Sequence, residues 1–109
     1  MTVQDFLKEN PTTDTNKVRP HIFCKDGLEL SVQASSGHYC APREDNAEEY
    51  THVEVLCPIL TVRSLCKYST GGVCAMVPVE AVDNVIKRHG GIVRIGGRNK
   101  RVRCYYEHH

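Results

Sequence analysis

The chain has 109 residues, no tryptophan and a formal net charge of +1 at pH 7. This length predicts one domain with a single core, and no apolar run approaches the ~18 residues that a membrane span requires. Six cysteines occur without a C-x-x-C pair, and no signal-like stretch follows Met1, so we expect a cytoplasmic protein with free thiols.

Charge is balanced overall but not along the chain. Residues 1–60 hold five basic and ten acidic side chains, whereas residues 61–109 hold nine basic and three acidic ones. Such an asymmetry is informative about partners rather than about fold. It predicts an acidic surface and a basic surface that can each be weighed as a binding site.

The first twenty residues are mostly polar, with threonine, aspartate and asparagine clustered after Pro11. Terminal segments of this composition are commonly poorly ordered. The sequence therefore predicts a flexible N-terminal arm over residues 1–20, followed by a single α+β domain over residues 21–109.

Three stretches have the composition of strands. Residues 21–34 predict a β-hairpin in which Gly27 takes the left-handed position of the turn. Residues 50–57 and 73–77 predict two further strands, rich in valine and cysteine. In the hairpin, Leu28, Leu30 and Val32 alternate with Glu29, Ser31 and Gln33, which predicts a strand with one buried face. Residues 59–68 are ambiguous between strand and helix.

Residues 79–89 predict a helix with both ends marked. Pro78 suits the first helical position, and Gly90 with Gly91 supplies a left-handed stop. One side of the helix is apolar, through Val79, Val82, Val85 and Ile86, and must bury against a sheet. The predicted fold is thus α+β, a small antiparallel sheet packed by one main helix in the C-terminal half, with a basic β-hairpin over residues 92–106.

That C-terminal hairpin carries the strongest signal for nucleic acid. Five basic side chains can neutralise phosphates and one tyrosine can stack on a base: Arg94, Arg98, Lys100, Arg101, Arg103 and Tyr105. The same residues are also explained as charges that protect an exposed strand edge from aggregation, or that pair with the acidic loop of the chain itself. Nucleic-acid binding is therefore the alternative functional hypothesis.

An acidic segment is the candidate contact for a basic partner surface. It contains four carboxylates, those of Glu44, Asp45, Glu48 and Glu49. Charge complementarity of this kind steers partners together and sets specificity. Taken alone, these residues also fit an ordinary solvated loop.

The segment 37–43 contains the most reactive side chains. His38 and Cys40 fit a base and nucleophile pair, but no residue signature supplies the orienting carboxylate and oxyanion site that catalysis requires. His38 and Cys40, with His52 and Cys57, are four candidate zinc ligands, yet they lack the paired short spacing of a tetrahedral site. The sequence therefore predicts no catalytic residues, no metal site and no cofactor.

Five short stretches together form a recognisable pattern: SVQAS at 31–35, HYCAPR at 38–43, YTHVEV at 50–55, VPVE at 77–80 and HGGI at 89–92. The pattern resembles a group of small uncharacterised phage and prophage proteins. The resemblance covers about residues 22–57 and 73–92 and excludes the basic tail. It implies a phage-related accessory origin and no particular chemistry. Small phage accessory proteins commonly act by occupying the surface of a host protein, so we expect a non-enzymatic protein that binds a host protein in the host cytoplasm.

Overall fold

The computed structural model of the protein describes residues 1–57, 62–70 and 73–96. In chain order the elements are α1 (Val3–Glu9), β1 (His21–Cys24), β2 (Glu29–Gln33), β3 (His52–Leu56), a 3-10 helix (Arg63–Tyr68), β4 (Ser69–Thr70), β5 (Val73–Pro78), α2 (Val79–Arg88) and β6 (Ile92–Gly96). The six strands form one sheet in the order β4-β5-β3-β2-β1-β6, and every neighbouring pair is antiparallel. The predicted α+β fold is confirmed.

Helix α2 connects two strands, β5 and β6, that lie towards opposite edges of the sheet. Because β5 and β6 are separated by β3, β2 and β1, all paired antiparallel, they run in the same direction. The helix between them must therefore cross the sheet face, where its apolar side packs. Val79, Val82, Val85 and Ile86 are all buried, as the spacing predicts.

The C-terminal end of α2 agrees with the sequence, whereas Pro78 is not the first helical residue that the sequence predicts. Pro78 lies one residue before the helix, as the last residue of β5. At the other end Gly90 and Gly91 have φ of 95° and 88°, and the Gly91 N–H donates to the carbonyl of Ile86 at 2.9 Å. A Cβ on Gly90 would lie 2.7 Å from the Lys25 Cβ, so this turn also requires close approach.

The predicted N-terminal arm is instead part of the core. Helix α1 begins with a capping box between Thr2 and Asp5, and Val3 and Phe6 have no exposed surface. The Val3 N–H donates to a carboxylate oxygen of Asp83, on α2, at 2.8 Å. A helix of seven residues is marginal alone, so packing against α2 decides that it forms.

The prediction that strand β2 has only one buried face is wrong. All five residues of the strand are buried, including Glu29 and Gln33. The Gln33 side chain accepts from the Arg19 N–H at 2.7 Å and donates to the Arg19 carbonyl at 3.0 Å. The segment before β1 therefore covers the polar side of β2, which an alternating pattern assigns to solvent.

The predicted basic hairpin is only partly within the described residues. Its first strand is β6, which pairs with β1 at the edge of the sheet order, and the residues after Gly96 lie outside the described ranges. The ambiguous stretch 59–68 contains the 3-10 helix, and residues 58–61 are likewise outside. Among the described residues, neither α-helix combines the length and apolarity needed to cross a lipid bilayer.

Candidate functional site

The acidic segment is an ordered loop built around the buried hydroxyl of Tyr50. That hydroxyl donates to the carbonyl of Glu44 at 2.5 Å and accepts from the N–H of Ala47 at 3.0 Å. Tyr50 is itself held at the backbone by the Gln4 amide, which accepts from its N–H and donates to its carbonyl. The loop is thereby fixed at two backbone positions to a residue of the core.

Asp45 holds the same loop to two other segments. One carboxylate oxygen accepts from the N–H and hydroxyl of Ser36, each at 3.0 Å, and the other pairs with the Lys17 ammonium at 2.6 Å. The hydrogen bonds from Lys17 and Ser36 lower the pKa of Asp45 to about 2. Asp45 is therefore a structural residue of the loop and its charge is already paired.

Asn46 supplies a third attachment, to the N-terminal segment. Its side chain accepts from the Thr12 N–H at 2.9 Å and donates to the Thr12 carbonyl at 2.9 Å. Asn46 has a φ of 49°, a left-handed conformation that asparagine tolerates better than most residues. The Asn46 side chain thus stabilises the turn, and asparagine suits its left-handed backbone.

The other predicted acidic residues are differently placed. Glu44, Glu48 and Glu49 are exposed, and none of them forms a salt bridge with any other described residue. The structure therefore divides the predicted set into one carboxylate that organises the loop and three that face solvent. The loop backbone is held at Glu44 and Ala47, and the charges of the three glutamates stay accessible.

Of the predicted basic residues, only Arg94 lies in the described part of the chain. Its guanidinium stacks on the ring of Phe23, 3.8 Å from the ring centroid, and the residue is exposed. The remaining members of the set lie outside the described residues, namely Arg98, Lys100, Arg101, Arg103 and Tyr105.

An exposed patch formed by Tyr39, Arg43 and Met76 was not predicted from the sequence. Tyr39 is 52% exposed and Met76 is 43% exposed, and the Met76 N–H donates to the Tyr39 carbonyl at 3.2 Å. The Arg43 guanidinium stands over the Tyr39 ring at 5.3 Å from its centroid. The patch joins Met76 to two residues that lie 33 and 37 positions earlier in the chain, so only the folded chain brings it together.

His38 and Cys40 each form a local contact with Ser35. The His38 Nδ1 is 2.6 Å from the hydroxyl of Ser35, a residue with no exposed surface. The Cys40 thiol donates to the Ser35 carbonyl at 3.2 Å, and burial raises its pKa. Burial also lowers the pKa of His38. A raised thiol pKa lowers the fraction of Cys40 that is present as the nucleophilic thiolate.

Three cysteines line one cavity of about 230 Å³, beside β3 and β5. Cys57 directly follows β3, Cys66 lies in the 3-10 helix and Cys74 lies in β5. Burial raises the pKa of Cys57 to about 11, and the neighbouring Cys74 thiol adds to this shift. The five cysteines that the structure describes are all free thiols, and no described group of three or more His, Cys, Asp or Glu side chains is arranged to hold a metal ion.

Comparison of the chain with protein-family models, with curated proteins and with solved structures finds no match.

Proposed function

We propose that the protein is a non-enzymatic, phage-related accessory protein that acts by binding a host protein through its acidic loop, residues 44–49. The observation that carries the proposal is the pairing of a fixed backbone with accessible charge. Glu44, Glu48 and Glu49 are exposed, while the hydroxyl of Tyr50 holds the loop backbone at both Glu44 and Ala47.

A fixed loop is favourable for association because less conformational freedom is lost on binding. Exposed carboxylates on such a loop attract a basic surface from a distance and orient it, which raises the association rate. Charges already paired within the chain contribute less to this attraction. Asp45 is paired with Lys17 at 2.6 Å, so we assign the role to the three glutamates.

The test compares three baits in host-cell lysate: the parent, the loop variant Glu44→Gln/Glu48→Gln/Glu49→Gln, and a control with the same charge change. The control is Glu9→Gln/Asp14→Asn/Glu80→Gln, whose three residues are also exposed. The parent and the control should retain the same discrete protein, and the loop variant should lose it.

The captured protein is then purified and titrated against all three baits at low and physiological salt. We expect the loop variant to bind at least tenfold more weakly than the control, with most of the difference in the association rate. Equal affinity of the loop variant and the control would contradict the proposal, as would the failure of the parent to retain any discrete protein.

Nucleic-acid binding is the competing hypothesis, and a separate titration tests it. Labelled DNA and RNA are titrated with the parent and with Arg101→Ala/Arg103→Ala at two salt concentrations. Each lost phosphate contact should flatten the salt dependence by about one unit. Tight, salt-dependent binding that disappears in the double variant would replace the protein-binding proposal.

A further inference from the structure

We infer that the patch of Tyr39, Arg43 and Met76 is the apolar anchor of the protein-binding surface. We further infer that it receives a partner segment in which one apolar side chain is flanked by lysine or arginine. This inference rests on the proposed function, because it names the partner chemistry that the acidic loop and its neighbouring patch would recognise together.

The first argument is the cost of leaving this patch in water. Tyr39 and Met76 are two of the few large hydrophobic residues that are substantially exposed in the described chain. Their backbones are joined by the Met76 N–H to Tyr39 carbonyl bond at 3.2 Å, so these two exposed residues are neighbours in the fold rather than scattered. Contiguous apolar exposure is characteristic of interaction sites, whereas single exposed residues are ordinary.

The second argument is the backbone of Met76. It has a φ of 53°, a region that is unfavourable for a bulky residue without a special constraint. The residue lies where the pairing of β3 with β5 shifts register, between the Val53 and Val55 positions. Backbone strain of about 1–3 kcal/mol persists where surrounding contacts impose it, and it concentrates at functional sites. Here the strained bulge interrupts the strand at a methionine that faces solvent.

The third argument is that contacts within the chain hold both the backbone and the ring of Tyr39 in place. The Tyr39 N–H donates to a carboxylate oxygen of Glu54, on β3, at 2.9 Å, and the Arg43 guanidinium lies over the ring. Tyrosine and arginine in this arrangement are the residue types that dominate interface energetics, and methionine is likewise enriched there. A partner would meet a ring whose backbone is fixed on the sheet.

Charge decides which partner fits. Arg43 directly precedes the acidic loop in the chain, and its positive charge is engaged with the Tyr39 ring. The accessible charges that follow it are those of Glu44, Glu48 and Glu49. These carboxylates repel phosphates and attract cations, so the occupant that complements the surface is a basic protein segment with an apolar anchor, not a nucleic acid.

The experiment uses a random peptide library displayed on yeast, selected against the full chain. We expect selected peptides to share an apolar or aromatic residue flanked by lysine or arginine. Synthetic copies are then titrated against Tyr39→Ala and Met76→Ala, with Tyr68→Ala and Val93→Ala as controls. Tyr68 also has a cation over its ring, and Val93 is an exposed hydrophobic residue on β6.

Tyr39→Ala and Met76→Ala should each weaken peptide binding at least tenfold, and the two controls should leave it unchanged. Tyr39→Phe keeps the ring and should restore parent affinity, while thermal melting of each variant establishes that it is folded. Peptides that bind Tyr39→Ala and Met76→Ala as tightly as the parent would overturn the inference. A selection that yields no binders, or binders without basic residues, would also overturn it.

The two proposals fail in different ways. If Glu44→Gln/Glu48→Gln/Glu49→Gln weakens peptide binding but Tyr39→Ala does not, the acidic loop is the binding surface and the anchor is wrong. If Tyr39→Ala weakens binding and the loop variant does not, the anchor binds but the charge assignment, and with it the proposed function of the loop, is wrong.

Discussion

The protein places similar polar side chains in two opposite environments, the buried side of β2 and the exposed acidic loop. On β2, Glu29 is only 2% exposed and its carboxylate lies 2.5 Å from the His21 Nδ1. In the loop, Glu44, Glu48 and Glu49 are exposed without an ion-pair partner among the described residues. The contrast indicates that the first set serves the fold and the second set is available to a partner.

The two regions also differ in how completely their polar atoms are satisfied. Gln33 exchanges two hydrogen bonds with the backbone of Arg19. Among the described contacts, however, one Glu29 carboxylate oxygen and the Arg19 Nε are buried without a hydrogen-bond partner. Where a buried polar group is paired, as Gln33 is with Arg19, a substitution is costly because removing one partner strands the other. No such penalty applies to the exposed carboxylates.

The largest expected effect comes from placing an unpaired charge on the apolar side of the same sheet. Val82 of α2 has no exposed surface, and Val82→Asp would have no partner for its carboxylate. We expect a loss of about 4–5 kcal/mol in the free energy of unfolding, measured by urea denaturation. A variant that unfolds at the parent's urea midpoint would show that α2 does not pack as described.

A smaller loss should follow from breaking the buried pair. Glu29→Ala leaves His21 without its partner and should lower the free energy of unfolding by about 3 kcal/mol, whereas the exposed Glu9→Ala should have little effect. His21→Ala should add little to Glu29→Ala, because residues in one pair are not independent. Additive losses in the double variant would contradict the pairing.

The hydroxyl of Tyr50 links the buried and exposed regions. Tyr50→Phe removes the bond to the Glu44 carbonyl and the bond from the Ala47 N–H, and should cost about 1–2 kcal/mol. Hydrogen exchange should also become faster at the Ala47 amide. Tyr39→Phe, which changes an exposed tyrosine, is the matched control and should leave both measurements unchanged; equal effects of the two variants would refute the role of Tyr50.

The smallest expected effect is a dependence of the melting temperature on pH that is caused by Asp45. Hydrogen bonding to Lys17 and Ser36 lowers the pKa of Asp45 from its ordinary 3.8 to about 2. A carboxylate with a lowered folded-state pKa stabilises the fold above its unfolded pKa and loses that contribution as pH falls through the folded value. Asp45→Asn should therefore melt at a slightly lower temperature than the parent at neutral pH, and the gap should close as pH falls from about 4 to about 2.

A gap that stays constant across this pH range would mean that Asp45 acts without its charge. The test is a series of thermal melts of the two proteins in matched buffers, at low salt because exposed ion pairs are screened. The Lys17→Ala variant should show the same closing of the gap, since it removes the cation that pairs with Asp45 at 2.6 Å.

Local patterns were sufficient where one element carries its own signal. The apolar side of α2 and the glycine stop at Gly90 and Gly91 follow from residues close together in the chain, and the strands at 21–34, 50–57 and 73–77 follow from alternation and valine content. A capping box between Thr2 and Asp5 was also a readable signal for α1. The prediction of a flexible arm rested on the polar composition of the first twenty residues and did not use this signal.

Other features depend on contacts between distant residues. The pattern of β2 assigns Glu29, Ser31 and Gln33 to solvent, and only the passage of residues before β1 across that side buries them. The patch of Tyr39 and Met76 depends on a register shift between β3 and β5, which no local pattern specifies. Likewise the cavity shared by three cysteines gathers residues from three separate elements.

The sequence by itself therefore determined α2 and the strands of the sheet other than β4, because hydrophobic periodicity acts through neighbours a few residues apart. It also determined that the chain carries an acidic segment in its first half and a basic one at its end. Only the tertiary structure decided which acidic side chains are paired and which are accessible. That choice depends on burial and on partners from distant segments, such as Lys17 for Asp45 and His21 for Glu29, and neither is encoded in the spacing of the carboxylates along the chain.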